Sequence, residues 1–242
     1  PYLIGNGLMA DATGAGAEIR VLQFNVSSKN KSSRNFIDWL RPQVDNFDII
    51  VLLENTPSWG PVINALGEEF PAHLEVARTD SWGIAVFSRL PDSQFKLRPL
   101  GSNRVPVVEL RAHLGERSLT VIAAHTYAPL GRKKSEERNA QLQELTKWVA
   151  DAPPGYKVLL GDLNLTPFSP WFRGLLEATG LSDAQYGLGL LPTWAPRALP
   201  TALGLPIDHT LISNDLSVIN RRCDERFGSD HCPITTELRG NR

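Results

Sequence analysis

Three short apolar runs in this chain each stop at a residue that a buried strand has no use for. Ile49-Ile50-Val51-Leu52-Leu53 gives way to Glu54, Val121-Ile122-Ala123-Ala124 to His125, and Val158-Leu159-Leu160 to Gly161-Asp162-Leu163-Asn164. Runs this short and this apolar read as strands covered on both faces, so the chain has to build sheets with a layer on either side. A fourth stretch, 19–25, alternates as a strand and stops at Asn25. Two further strands begin on polar groups: Asp208 in Pro206-Ile207-Asp208-His209, and Ser229-Asp230-His231 ahead of Ile234-Thr235-Thr236-Glu237-Leu238. Laid side by side, these strands would open all their polar ends on one sheet edge. An acid next to an amide or an imidazole at a rigid strand end is what an oxygen-ligating divalent ion needs. The His adds a group that handles protons near neutral pH.

The rest of the pattern predicts helices over 32–44, 58–70 (capped by Ser58), 134–150 and 170–179. Short strands are predicted over 73–77, 83–88, 94–98, 105–113, 118–124 and 216–220, and a Pro/Gly-rich loop over 187–205. Strands are interspersed with helices, and each half runs from helices into strands. This points to an α/β protein with two packed sheets and helices outside, rather than one doubly wound sheet. Residues 1–17 are rich in Gly and Ala and are expected to be a flexible leader; 18–239 form one domain. A start at Pro1 instead of Met leads us to expect a piece of a longer protein. No apolar run approaches the roughly 18 residues of a membrane helix. Lys and Arg number 25 against 26 Asp and Glu, a balance that argues against a bulk-electrostatic duplex binder but leaves room for a local basic groove.

The ordered set Asn25, Glu54, His125, Gly161-Asp162-Leu163-Asn164, Asp208 and Ser229-Asp230-His231 resembles the endonuclease/exonuclease/phosphatase superfamily over about 19–238. That group includes deoxyribonuclease I, abasic-site exonucleases, neutral sphingomyelinases, inositol polyphosphate phosphatases and deadenylases. The resemblance implies a deoxyribonuclease I-like four-layer α/β sandwich of two mixed sheets with a Mg²⁺ or Mn²⁺ site at the sheet edges. By the same resemblance Asn25 and Glu54 are the principal metal ligands. Asp162 and Asn164 position the attacking water and the phosphate, with oxygens that also serve the metal, and Asp230 is an auxiliary ligand. His231 is the cleft His, oriented by Asp208. The choice between Asp and His as general base stays open. His125 resembles the second His of the deoxyribonuclease branch, with Asp80 as its candidate partner, and Arg104 resembles a phosphate-contacting Arg of that branch. Asn25-Val26-Ser27 lacks the accessory carboxylate of the abasic-site enzymes, and the inositol phosphatase pattern is absent around Asp208. Gly161 to Ser169 looks closest to generic bacterial members.

Basic residues gather after two of the polar strand ends: Lys29, Lys31 and Arg34, then Arg132, Lys133, Lys134 and Arg138. They read as a track for an anionic polymer. Trp194, in the long loop before Asp208, is a further candidate substrate contact. The expectation is a divalent-metal-dependent phosphodiesterase, a nuclease acting on DNA or RNA. The alternative is a phosphatase or phospholipase C-type enzyme acting on lipid head groups or small esters. It is expected to work as a monomer with no obligate protein partner. Cys223 and Cys232 are too few for a disulfide scaffold and lack zinc-site spacing. They either face each other across neighbouring strands, which implies an extracytoplasmic enzyme, or are two unrelated core thiols.

Overall fold

The apolar runs do form strands. The computed structural model describes residues 16–241, so the expected leader lies almost wholly outside the described residues. In chain order it contains β1 (Glu18–Asn25), α1 (Ser33–Leu40), β2 (Ile49–Leu53), α2 (Gly60–Glu69), β3 (Ala72–Val76), β4 (Ile84–Ser88) and β5 (Gln94–Leu100). Then come β6 (Val105–Leu114), β7 (Arg117–His125), α3 (Arg132–Ala150), β8 (Tyr156–Asp162), α4 (Pro170–Thr179) and β9 (Ser182–Asp183). β10 (Asp208–Ile212), β11 (Leu216–Cys223) and β12 (Ile234–Gly240) complete the chain.

Two mixed six-stranded sheets result, in the orders β11-β12-β1-β2-β4-β3 and β5-β6-β7-β8-β10-β9. Within each, one central pair is parallel: β1 with β2, and β7 with β8. The sheets pack face to face over an apolar layer that includes Val21, Val51, Val86, Leu110, Val121, Val158 and Leu160. Outside the first sheet, Phe36, Leu40, Trp59 and Val62 of the α1 and α2 region cover Phe24, Leu52 and Phe87. Outside the second, Leu142, Leu145 and Phe172 of α3 and α4 cover Ile122, Leu159 and Leu211. Both faces of the central strands are thus buried, which is why those strands read as continuous apolar runs. The result is the expected four-layer sandwich.

Local differences from the sequence reading have local causes. The helix expected over 32–44 ends as α-helix at Leu40 and continues as a 3-10 turn over Arg41–Asn46, because Pro42 removes an amide donor. Ser58 does not cap α2; its hydroxyl pairs with Thr56 inside a 3-10 turn, Pro57–Trp59, and the α-helix starts at Gly60. Strand β9 was not anticipated, since two residues carry no period. Gly161 has φ +130°, and a Cβ there would stand 1.9 Å from the Ala124 carbonyl oxygen, so the turn into Asp162 requires glycine.

Cys223 and Cys232 form a disulfide with Cα atoms 5.8 Å apart. Of the two sequence readings, the bridge holds. It closes the segment that carries Ser229, Asp230 and His231, and both sulfurs lie under the Pro192 carbonyl, at 3.8 and 4.0 Å. For a loop of this length, chain-entropy arguments put the stabilisation at about 2–3 kcal/mol. We expect Cys223→Ser/Cys232→Ser to unfold at lower denaturant by that amount, and the unfolded, non-reduced wild type to titrate no free thiol. Two titratable thiols would contradict the bridge.

Candidate active site

Register brings the polar groups together. Across three adjacent strands of the second sheet, His125 pairs with Asp162 and Asp162 with Asp208. Paired residues share a face, so all three side chains point into the space between the sheets at one edge. The first sheet supplies Asn25, Glu54 and His231 from the opposite side. Asn25 Nδ2 donates to Asp162 Oδ2 at 3.1 Å and to Glu54 Oε1 at 3.2 Å. The Nε2 atoms of His125 and His231 each lie 3.6 Å from the same Asp162 oxygen. Glu54, His125, Asp162 and His231 floor a cleft of about 640 Å³.

Asp208 accepts from Thr193 Oγ1 at 2.6 Å and faces His231 Nδ1 at 2.8 Å. That contact makes Nδ1 the protonated atom and turns Nε2 to the cleft. Burial works against ionisation of His231, but Asp208, and behind it Asp162 and Asp230, outweigh it and push the imidazole up to about 9. Burial likewise opposes the Asp208 charge, yet His231 and the Thr193 hydroxyl hold its carboxyl below the usual range. Burial and the neighbouring Asp208 charge raise Asp162 to about 6. Burial also opposes ionisation of Glu54; His125, the Ser28 amide and Asn25 prevail and lower it.

Asp162, Asp208 and His231 each offer a ligand atom within 4.8 Å of the others, a buried group that can hold an ion. Asp208 Oδ2 already receives two hydrogen bonds. The hard oxygens left to converge are those of Asp162 and Glu54, joined by Asn25 once its amide turns over. As placed, Asn25 Oδ1 accepts from Ser27 N–H at 3.0 Å and its NH₂ group faces the two carboxylates. Two carboxylates around one amide, with no thiolate, fit Mg²⁺ or Mn²⁺.

Other expected site residues fall in different places. Asn164 lines the cleft, but its side chain donates to the Thr126 carbonyl at 2.9 Å, while its amide N–H donates to Asp162 Oδ1. Asp230 also lines the cleft, its carboxylate held by the Trp194 indole N–H at 3.1 Å; the Trp194 ring forms part of the wall. Asp80 is not the partner of His125. Arg78 and the Trp82 amide occupy it, and His125 Nδ1 has no hydrogen-bond partner among the described residues. Trp82 packs against the His125 ring instead, centroids 4.9 Å apart. Arg104 sits on the exposed turn between β5 and β6, outside the cleft. Arg132, Lys133 and Lys134 are exposed at the start of α3, Arg132 paired with Glu136. Arg138 leaves that cluster: it is buried, donating to the Asn164 carbonyl and to Asn139.

Sequence reasoning assigned no role to three supports. Thr193 holds Asp208, and its place beside Trp194 was the available signal. Ser229 donates to the Asn25 carbonyl and accepts the His231 amide. Buried Arg221 donates to the Asp208 carbonyl at 3.1 Å; nothing in its surrounding sequence marks it.

A sequence model described as the Endonuclease/Exonuclease/phosphatase family matches residues 22–231. The chain belongs to this family. Family members are hydrolytic phosphoesterases and nucleases that use divalent metals. Among solved structures, one similar to it is an endonuclease/exonuclease/phosphatase from Beutenbergia cavernae. It has TM-score 0.73 and 17% identity, over 93% of this chain and 72% of that one. Another is D. rerio TDP2 complexed with single strand DNA product, with TM-score 0.73 and 15% identity, over 91% of this chain and 98% of that one. A third is SmcL, with TM-score 0.66 and 19% identity, over 92% and 99%. At these identities the likeness carries the fold. No curated protein sequence matches the chain.

The raised His231 gives a signed pH dependence. A His whose folded value lies above its ordinary one, about 6.5, stabilises fully below that value. The contribution is lost as pH rises through about 9. In EDTA, the Tm gap between wild type and Asp208→Asn should be widest at or below pH 6.5 and narrow as the pH rises through 9. Parallel Tm curves across that range would refute the pairing.

Proposed function

We propose that the chain is a divalent-metal-dependent phosphodiesterase. The observation that carries this is the meeting of Asn25, His125 and His231 at one oxygen of Asp162, contributed by both sheets and open to the cleft. Asn25 and Glu54 would hold the ion. When bound, it neutralises phosphate charge and makes a bound water more acidic. Asp162 orients the attacking water and accepts its proton. His231, fixed by Asp208, presents Nε2–H to the phosphate and to the oxygen that leaves. Every group of the site comes from one chain, which supports a monomer, and the disulfide supports an oxidising, extracytoplasmic setting.

Two phosphodiester classes compete for the cleft. Exposed Lys133 and Lys134 and the Lys29 side of the cleft support a nucleic acid strand, as does the DNA product bound by the TDP2 neighbour. The walls support a lipid head group or an apolar ester: they include Ala128, Pro129, Leu130, Leu165, Leu205 and Ile207, against Lys29 and the buried Arg138 as the Lys and Arg side chains lining the cleft.

With bis(p-nitrophenyl) phosphate as a soluble diester, we expect EDTA to abolish turnover and Mg²⁺ or Mn²⁺ to restore it; full activity in EDTA refutes the metal site. Asp162→Ala and His231→Ala should each lower kcat by at least about 10²-fold while leaving the far-UV CD spectrum unchanged. Near-wild-type kcat in either variant removes that residue from its role.

A further inference from the structure

The described residues expose ten large hydrophobic side chains, and nine of them lie in or border three segments at the site edge of the second sheet. These are 126–131 after β7, 163–169 after β8 and 184–207 between β9 and β10. Leu97 is the exception. Leu130 is 71% exposed and Leu203 70%. Leu130 and Leu205 also line the cleft itself, so the apolar surface runs from the rim into the site. Monomers seldom leave such a continuous apolar rim in water without a use for it.

The charges carried by the rim segments themselves are one-sided, although Asp224 and Glu225 border Arg197, Pro200 and Thr201 from a neighbouring loop. None of the three segments contains an Asp or a Glu, in a chain that has 26 of them. Cations stand directly behind the apolar tips: Lys133 and Lys134 follow Leu130, and exposed Arg197 precedes Leu199. Lys29 lies across the cleft. Apolar tips backed by Lys and Arg, on segments that hold no carboxylate of their own, match an anionic lipid–water interface. They match a polynucleotide less well. A nucleic acid channel offers flat aromatic platforms and a cationic lining, whereas here six of the nine side chains are Leu, against Phe168, Trp171 and Tyr186, and the two most exposed are Leu130 and Leu203. A protein partner seated around the mouth of the cleft would close it. A surface that itself contains phosphodiesters would feed it.

We propose that this rim seats the cleft on a phospholipid surface, so that the diester reaching Asp162 and His231 is a lipid head group. The substrate part rests on the phosphodiesterase reading above; the docking part does not. The test uses the full chain and two kinds of vesicle: phosphatidylcholine alone, and equimolar phosphatidylcholine and phosphatidylserine. Leu199→Glu/Leu203→Glu changes two rim residues that do not line the cleft. Wild type should float with the anionic vesicles, and the variant's bound fraction should fall at least about tenfold. Its turnover of bis(p-nitrophenyl) phosphate should be unchanged. With Mg²⁺, wild type should release phosphorylated head group from the vesicles, and the variant should release at least about tenfold less. Wild type that stays unbound with both vesicles, or a variant that floats as well as wild type, overturns the docking. Docking without head-group release, alongside cleavage of single-stranded or plasmid DNA, overturns the lipid substrate. Vesicle binding with no metal-dependent turnover of any diester leaves the docking standing and overturns the phosphodiesterase reading.

Discussion

The hydrogen bond from Asn25 to Asp162 joins the two sheets at their open edge, and it can form only at the separation and stagger that the apolar layer beneath it imposes. Ile19, Val21, Gln23 and Asn25 are successive residues on one face of β1; Val158, Leu160 and Asp162 are their counterparts on β8. The site is therefore the last row of the core, where the same two-residue period reaches the strand ends and becomes polar. A slip of one residue in either strand would turn Asn25 or Asp162 to the outer face. Dry packing sets the position, and the polar groups inherit it.

That last row is held by a second tier of contacts and by strained backbone. Ser27, Glu54 and Asn164, none of them glycine, adopt φ of 62°, 58° and 48°. Such conformations cost on the order of 1–3 kcal/mol each and persist where the surroundings fix them. Here the amides of Ser27, Ser28 and Asn164 donate to the side chains of Asn25, Glu54 and Asp162. Behind β10, the buried His209 meets the Leu165 carbonyl and Asp183, and Arg221 meets the Asp208 carbonyl. The loops that carry the site are thus tied to the scaffold through its own side chains.

The fold was readable because strands buried on both faces leave an unmistakable record. Ile49–Leu53 and Val158–Leu160 could be little else, and the polar residues ending them stood out for want of any role in a core. Asn25, Glu54, His125, Asp162, Asp208 and His231 were found that way. What the sequence did not disclose depends on partners distant along the chain. Arg138 lies one turn past three exposed cations and looks like a fourth, but the helix face it occupies turns it inward to Asn164. Asp80 was the partner that the family resemblance offered for His125, yet Arg78 reaches it first. Arg221 has no local pattern at all, and Thr193 only its place beside Trp194; each matters through a contact with Asp208 that only the folded strands create.

Strand β12 lies between β11 and β1, although it follows both in the chain. A ribosome builds the first eleven strands before it reaches Ile234. Until then β1 keeps one row of amides and carbonyls unpaired, and β11 has no neighbour to pair with. The same late segment brings His231 to Asp208. A chain interrupted shortly before this point would thus carry an incomplete cleft and a sticky sheet edge together, and insertion of one strand removes both defects at once.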